Sequence, residues 1–160
     1  MRQSNLQIPI EIYDSLLEMS NLDQKLLQAA KAGLQNAYAP YSGFQVSAAL
    51  LVENGALIVG ANQENAAYPM CLCAERVALG AAHAQYPGLA IKTIAITVRH
   101  EQKPVARPAA PCGACRQVLC ETEFRFGSPI EVILQGETGE ILKFYSAKAL
   151  LPLSFDGSFL

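Results

Sequence analysis

Four residues in this chain have the types and spacing to do chemistry: the cysteine and glutamate of Cys73-Ala74-Glu75, and the two thiols of Pro111-Cys112-Gly113-Ala114-Cys115. Three thiolates can hold one zinc ion and leave its fourth position open. Glu75 lies two residues beyond the first thiol, within reach of whatever occupies that position. Three protein ligands, a bound water and an adjacent carboxylate suit hydrolytic chemistry. Cys112 and Cys115 are one helical turn apart, so both sulfurs can face one ion. Three thiolates against a divalent cation leave the centre with a net charge of about −1, which opposes ionisation of a bound water. Arg76 follows Glu75 directly, and a guanidinium that hydrogen-bonds one or more of the sulfurs would offset that charge.

These residues must be brought together by the elements around them. Residues 9–19 have Ile12, Leu16 and Met19 at helical spacing, which predicts a short helix. Asn21 or Asp23 can cap a longer helix to about residue 37, with Leu26, Leu27, Ala30 and Leu34 on one face. Residues 45–53 and 56–61 read as strands joined at Asn54-Gly55, a strong hairpin signal. Residues 62–71 read as a loop and 73–85 as a helix. The β-branched run at 91–98 is a strand buried on both faces, and 100–111, with three prolines, is an irregular loop. A second site helix spans 112–123, strands follow at 130–134 and 140–145, and a helical turn at 146–151 precedes the tail. That order implies a mixed sheet covered by helices. A strand between two helical crossovers is expected to run parallel to its neighbours, with both cysteine motifs at one end of the sheet.

Composition narrows the partners. The chain has 160 residues, 51% hydrophobic and 16% charged, and a formal net charge of −2. That length suits one domain, here residues 1–160 with an N-terminal extension (1–20) and a C-terminal tail (156–160). No broad basic field is present to track a phosphate backbone, so nucleic acid is not expected as a partner. No run approaches the roughly 20 apolar residues that span a bilayer, and the N-terminus lacks a signal-peptide core. Five cysteines, an odd number with closely spaced pairs, argue for a reducing compartment, the cytosol.

Several linked motifs make the chain resemble a cytidine deaminase of the short, homotetrameric kind over residues 23–155. They are Ala39-Pro40-Tyr41-Ser42-Gly43-Phe44, the run from Gly60 through Asn62, Glu64 and Tyr68 to Pro69, Cys73-Ala74-Glu75-Arg76, the segment from Pro111 to Gln117, and Leu150-Leu151-Pro152. The resemblance implies a three-layer α/β/α sandwich around a mixed five-stranded sheet. It also implies conversion of cytidine and deoxycytidine to uridine and deoxyuridine plus ammonia, in pyrimidine salvage. One zinc per subunit would be held by Cys73, Cys112 and Cys115, with zinc-bound hydroxide attacking C4 and Glu75 shuttling protons. Asn62 and Glu64 would hold the sugar 3′-hydroxyl, Phe44 would pack on the pyrimidine, and backbone groups at Ala74 would meet the base edge. Tyr68 and Phe155 fall where the family sends aromatic residues into a neighbouring subunit's site. A buried Glu64 carboxylate would reject ligands without sugar hydroxyls. Ser47, Gln63 and Ala67 depart from the family's usual residues, and residues 1–20 lie outside the resemblance.

Other readings of the same residues exist. Cys71 could complete a closed four-thiolate structural site, and Cys112 and Cys115 could form a redox pair. Cys120, on an apolar helix face, reads as a packed core thiol. His83 and His100 stand apart from the cysteines, and Arg116 reads as structural. The rival functions are deamination of another cytosine-bearing small molecule, a polynucleotide deaminase, and a non-catalytic zinc-stabilised interaction module.

Overall fold

The computed structural model describes residues 1–160. Its strands are β1 (Glu11–Tyr13), β2 (Phe44–Val52), β3 (Leu57–Ala61), β4 (Ile91–His100), β5 (Glu131–Gln135) and β6 (Ile141–Phe144). Its α-helices are α1 (Asn21–Gly33), α2 (Ala74–Gln85) and α3 (Gly113–Phe126). All six strands form one sheet in the order β1-β6-β5-β4-β2-β3. The alternation of side chains along each strand separates two cores. Ala49 and Leu51 of β2, with Ala95, Ile133 and Ile141, meet Leu26, Leu27 and Ala30 of α1. Ala48 and Leu50 of β2, with Ile94, Ile96, Val132 and Leu134, meet Ala74, Ala78 and Leu79 of α2 and Leu119 of α3. The expected three-layer α/β/α sandwich is therefore present, with α1 on one face and α2 and α3 on the other.

Two local expectations change. The sheet has six strands rather than five, because residues 11–13 add to the edge of β6 instead of forming a helix. The apolar residues Leu6, Ile8, Ile10 and Ile12 alternate with period two, and all four are exposed. The Glu11 carboxylate accepts from the Tyr13 hydroxyl at 2.6 Å and from the Tyr145 hydroxyl, which ties β1 to the end of β6. Helical structure in this stretch is limited to one 3₁₀ turn, Leu16–Glu18. The second change is strand direction. β4 is parallel to β5 but antiparallel to β2. The β2–β3 hairpin reverses the chain, and the α2 crossover then returns β4 parallel to β3, passing over β2 between them.

Capping and pairing follow the local sequence. Ser20 caps α1 by accepting from Asp23 N at 3.1 Å. Gly55 at φ +87° makes the hairpin turn and Gly127 at φ +58° ends α3. Lys143 is buried on the α1 face, 2.9 Å from Asp23 and 3.1 Å from Glu131. Glu123 near the end of α3 accepts from Ile130 N at 2.6 Å and Ala147 N at 2.8 Å, joining the helix to the start of β5 and to the 3₁₀ turn Ala147–Leu150. No helix is long and apolar enough to cross a membrane.

Candidate active site

The ends of β3 and β4 and the start of β2 lie at one end of the sheet, because β3 and β4 run opposite to β2. The connections from β3 to α2 and from β4 to α3 leave from that end. Cys73 is the N-cap of α2 and Cys112 the N-cap of α3, with Cys115 in the first turn of α3. Both motifs are thus at one end of the sheet, as their placement at helix entries predicts. Cys73 Sγ lies 3.8 Å from Cys112 Sγ, Cys112 Sγ lies 3.5 Å from Cys115 Sγ, and all three sulfurs fall within 4.8 Å of one another. A tetrahedral zinc ion with sulfur at about 2.3 Å separates its sulfurs by about 3.8 Å, so the spacing fits.

The three thiols resist ionising together on their own. Burial pushes the Cys73 and Cys115 thiols up, and the charge of Glu75 adds to the rise at Cys115. Burial also opposes ionisation of Cys112, but the backbone N–H groups of Cys115 and Ala114 and the neighbouring thiols outweigh it, and this thiol falls. To be thiolates together, this close, they would need a cation between them. Arg76 Nη2 donates to Cys73 Sγ at 3.7 Å and to Cys71 O at 3.2 Å, so the guanidinium does reach a sulfur. Cys71 Sγ is not part of the cluster. It accepts from Asn65 N at 3.2 Å, which removes the basis for a closed four-thiolate site. Cys120 is fully buried in the core.

Glu75 is 4% exposed, and burial pushes its carboxyl above the ordinary range. It faces a cavity of about 270 Å³ with Cys73, Ala74 and Cys112 on one side and Phe44, Asn62 and Glu64 among its other lining residues. Asn62 Oδ1 accepts from Val46 N at 2.8 Å and its Nδ2 donates to Phe44 O at 3.0 Å. Glu64 is half-buried rather than buried, since the cavity opens beside it. Its Oε2 accepts from Tyr41 N at 2.9 Å, and hydrogen bonding from Ser42 lowers its carboxyl pKa. Tyr68 and Phe155 do not line this cavity. Tyr68 is 70% exposed and packs edge-on against Tyr41, whereas Phe155 is 58% exposed and stacks on Phe159.

Sequence reasoning missed three parts of the site. Ala109 and Ala110, in the proline-rich loop before Cys112, form part of the wall. Ile96 and Val98 of β4 also line it, and their side chains were legible only as core. Ser42 stands in the sequence only as part of a motif, although it contacts Glu64.

This geometry can be set beside known proteins. Residues 20–126 match the family model for the cytidine and deoxycytidylate deaminase zinc-binding region. The chain belongs to that deaminase family. The match takes in α1, the β2–β3 hairpin, both cysteine motifs and α3. This deaminase is 42% identical over 137 residues to a cytidine deaminase of Halalkalibacterium halodurans, which covers 82% of this chain and 92% of that one. It is also 42% identical over 133 residues to a cytidine deaminase of Sporosarcina psychrophila, covering 82% of this chain and 90% of the relative. Among solved structures, the cytidine deaminase of Burkholderia pseudomallei superposes with a TM-score of 0.73 at 42% identity, covering 86% of this chain and all of that one (100%). The deaminase fold and the zinc-binding region thus coincide with the thiol cluster found from geometry.

Proposed function

We propose that this enzyme of the cytidine deaminase family hydrolyses cytidine and deoxycytidine to uridine and deoxyuridine, releasing ammonia. The observation that carries the reading is the buried Glu75 carboxyl beside three clustered thiols, at the wall of a cavity otherwise lined mostly by apolar residues. Cys73, Cys112 and Cys115 would hold one zinc ion per subunit. When bound, zinc supplies a polarised water for attack at C4 of the pyrimidine. Glu75 would accept a proton from the attacking water and give it to the ring nitrogen, then take the second proton from the new C4 hydroxyl and give it to the departing amine, leaving the C4 carbonyl and ammonia. Its burial favours the proton-bound form, which suits a group that must carry a proton between two sites. Arg76 draws charge from the thiolates through Cys73 Sγ.

The remaining lining residues read as recognition groups. Phe44 packs on the pyrimidine, backbone groups at Ala74 meet the base edge, and Asn62 and Glu64 take the sugar 3′-hydroxyl. Tyr68 and Phe155, exposed and outside their own cavity, enter neighbouring sites of a homotetramer. The setting is a cytoplasmic one, in pyrimidine salvage, with small nucleosides rather than polynucleotides as substrates. The test is ammonia release from cytidine, measured with zinc content. Purified enzyme should release ammonia, and Glu75→Ala should abolish turnover while retaining zinc. An active Glu75→Ala variant would overturn the proton-transfer role, and a zinc-loaded wild type inert toward cytidine would overturn the substrate assignment.

A further inference from the structure

Ser42 has no role in the reading above, yet it joins the sugar side of the cavity to the base side. Its Oγ donates to Glu64 Oε1 and accepts from Phe44 N at 3.0 Å. The other carboxylate oxygen of Glu64, Oε2, accepts from Tyr41 N at 2.9 Å and from Ser42 N at 3.3 Å. A carboxylate offers about four lone-pair sites, and the turn before β2 occupies three of them. The one left open is on Oε1, the oxygen that Ser42 holds. Asn62 is tied to the same stretch, through Val46 N and Phe44 O. Both sugar-binding candidates and the aromatic wall are thereby fixed to one segment, residues 41–46.

We infer that Ser42 is a positioning residue for sugar recognition: its hydroxyl sets the Glu64 carboxylate so that one acceptor site remains for the substrate 3′-hydroxyl. The inference rests on the proposed nucleoside reading, and in particular on Glu64 meeting that hydroxyl. Ser42 is exposed and Glu64 is half-buried, so their hydrogen bond contributes little to folding. Its value lies in pre-organisation. A carboxylate already held in place loses less freedom when the substrate hydroxyl arrives. Without the Ser42 hydroxyl, Oε1 gains a free lone pair but loses its fixed direction, and ordering it falls to the substrate.

The experiment is steady-state kinetics of the zinc-loaded wild type, Ser42→Ala and Ser42→Thr. Cytidine is the substrate, and 3′-deoxycytidine is measured as a competitive inhibitor. Ser42→Ala should raise KM for cytidine by roughly five- to tenfold with kcat nearly unchanged, the size of one lost charge-assisted positioning contact. Ser42→Thr, which keeps the hydroxyl, should restore KM to within about twofold. The inhibition constant of 3′-deoxycytidine, which lacks the group Glu64 recognises, should change by less than about twofold in Ser42→Ala. Equal weakening of both ligands would show a general distortion of the Phe44 wall and overturn the inference. An unchanged cytidine KM, or a fall in kcat alone, would overturn it as well. A wild type active on cytidine with either of those outcomes leaves the nucleoside reading standing, whereas an inactive wild type removes both.

Discussion

Gly60 tests how the fold sets the metal site. It lies in β3, opposite Ala48 of β2, and α2 crosses directly over it. A Cβ at this position would stand 2.5 Å from Ala78 N, 2.7 Å from Ala74 O and 2.9 Å from Ala78 Cα, all backbone atoms of the first turns of α2. Ordinary contact begins near 3.4 Å, so the helix would have to lift by about 0.9 Å, the difference between 3.4 and 2.5 Å. Gly60 has no positive φ, so alanine fits its backbone conformation and the clash is purely steric. In an unstrained position with space, Gly→Ala stabilises by about 0.4–1 kcal/mol through the unfolded chain. Overpacking a dense core costs about 1–3 kcal/mol, and here no flexible side chain can yield. The expected net effect is a loss of about 1–2 kcal/mol.

The chemical consequence is larger than the loss of stability. The lifted turn carries Cys73 at its N-cap and Glu75 beside it, while Cys112 and Cys115 stay on α3. Zinc tolerates shifts of only about 0.2 Å in its ligand distances, so a rise of this size would strain a bond from Cys73 to the proposed ion. Gly60→Ala should therefore lower the urea midpoint and also release zinc to a competing chelator at least tenfold more readily. Gly80→Ala is the control in the same helix. No atom lies within 4 Å of its added Cβ, so it should raise stability by up to about 1 kcal/mol and leave zinc alone. If Gly60→Ala matched Gly80→Ala in stability, the seat of α2 on β3 would not be as tight as argued. Loss of stability with unchanged zinc affinity would separate that seat from the metal geometry.

Three further predictions follow from particular contacts. Replacing Arg76 with Gln removes the donor to Cys73 Sγ and should weaken zinc binding by about tenfold or more, read by chelator competition. Lys143→Ala leaves the buried Asp23 and the nearby Glu131 without their cation and should cost about 3–5 kcal/mol in urea unfolding, whereas Asp23→Leu with Lys143→Met should recover most of it. The Glu11 hydrogen bond raises the Tyr13 hydroxyl to about 12, so this contact supports folding below the ordinary tyrosine value of 10.0 and loses that support as pH rises through about 12. Glu11 raises the Tyr145 hydroxyl in the same way, so ultraviolet titration should find the ionisation of two tyrosines shifted upward in the wild type relative to Glu11→Gln, and equal titration curves would remove the role of Glu11 in holding β1.

How much of this was legible depends on how local each determinant is. The pair Cys112 and Cys115 reads directly, because helix geometry fixes three-residue spacing. The hairpin at Asn54-Gly55 reads for the same reason, and Asn54 Oδ1 accepts from Ala56 N within that turn. β1 does not read, because a three-residue strand forms only where an edge exists to receive it. That edge, and the Tyr145 that helps to fix it, lie more than 120 residues further along the chain. The helical spacing of Ile12, Leu16 and Met19 is present, but edge pairing overrides it. Gly60 was visible as a glycine and not as the seat of a helix, since the atoms that crowd it belong to another element. The exposure of Glu64 likewise depends on where the cavity opens, which no single segment determines.

The topology also separates the parts of the site by rigidity. The proposed metal ligands sit at the N-termini of two helices that each cover the same face of the sheet. Those helices rest on fully buried contacts at Ala74, Ala78 and Leu119, so the thiols move only if the core moves. The proposed recognition groups instead come from the turn before β2 and the segment after β3, both more exposed and held by side-chain hydrogen bonds to backbone. Changes in the first set alter packing distances, and so should act on metal retention and kcat together. Changes in the second set alter the order of this more exposed segment while leaving the helices seated, and so should act on KM. Gly60→Ala acts on the first set through α2, and Ser42→Ala acts on the second through Glu64. A kcat loss in Ser42→Ala that matched the loss in Gly60→Ala would mean that the two sets are mechanically coupled, most directly through β2, which begins at Phe44 and pairs with Gly60 at Ala48.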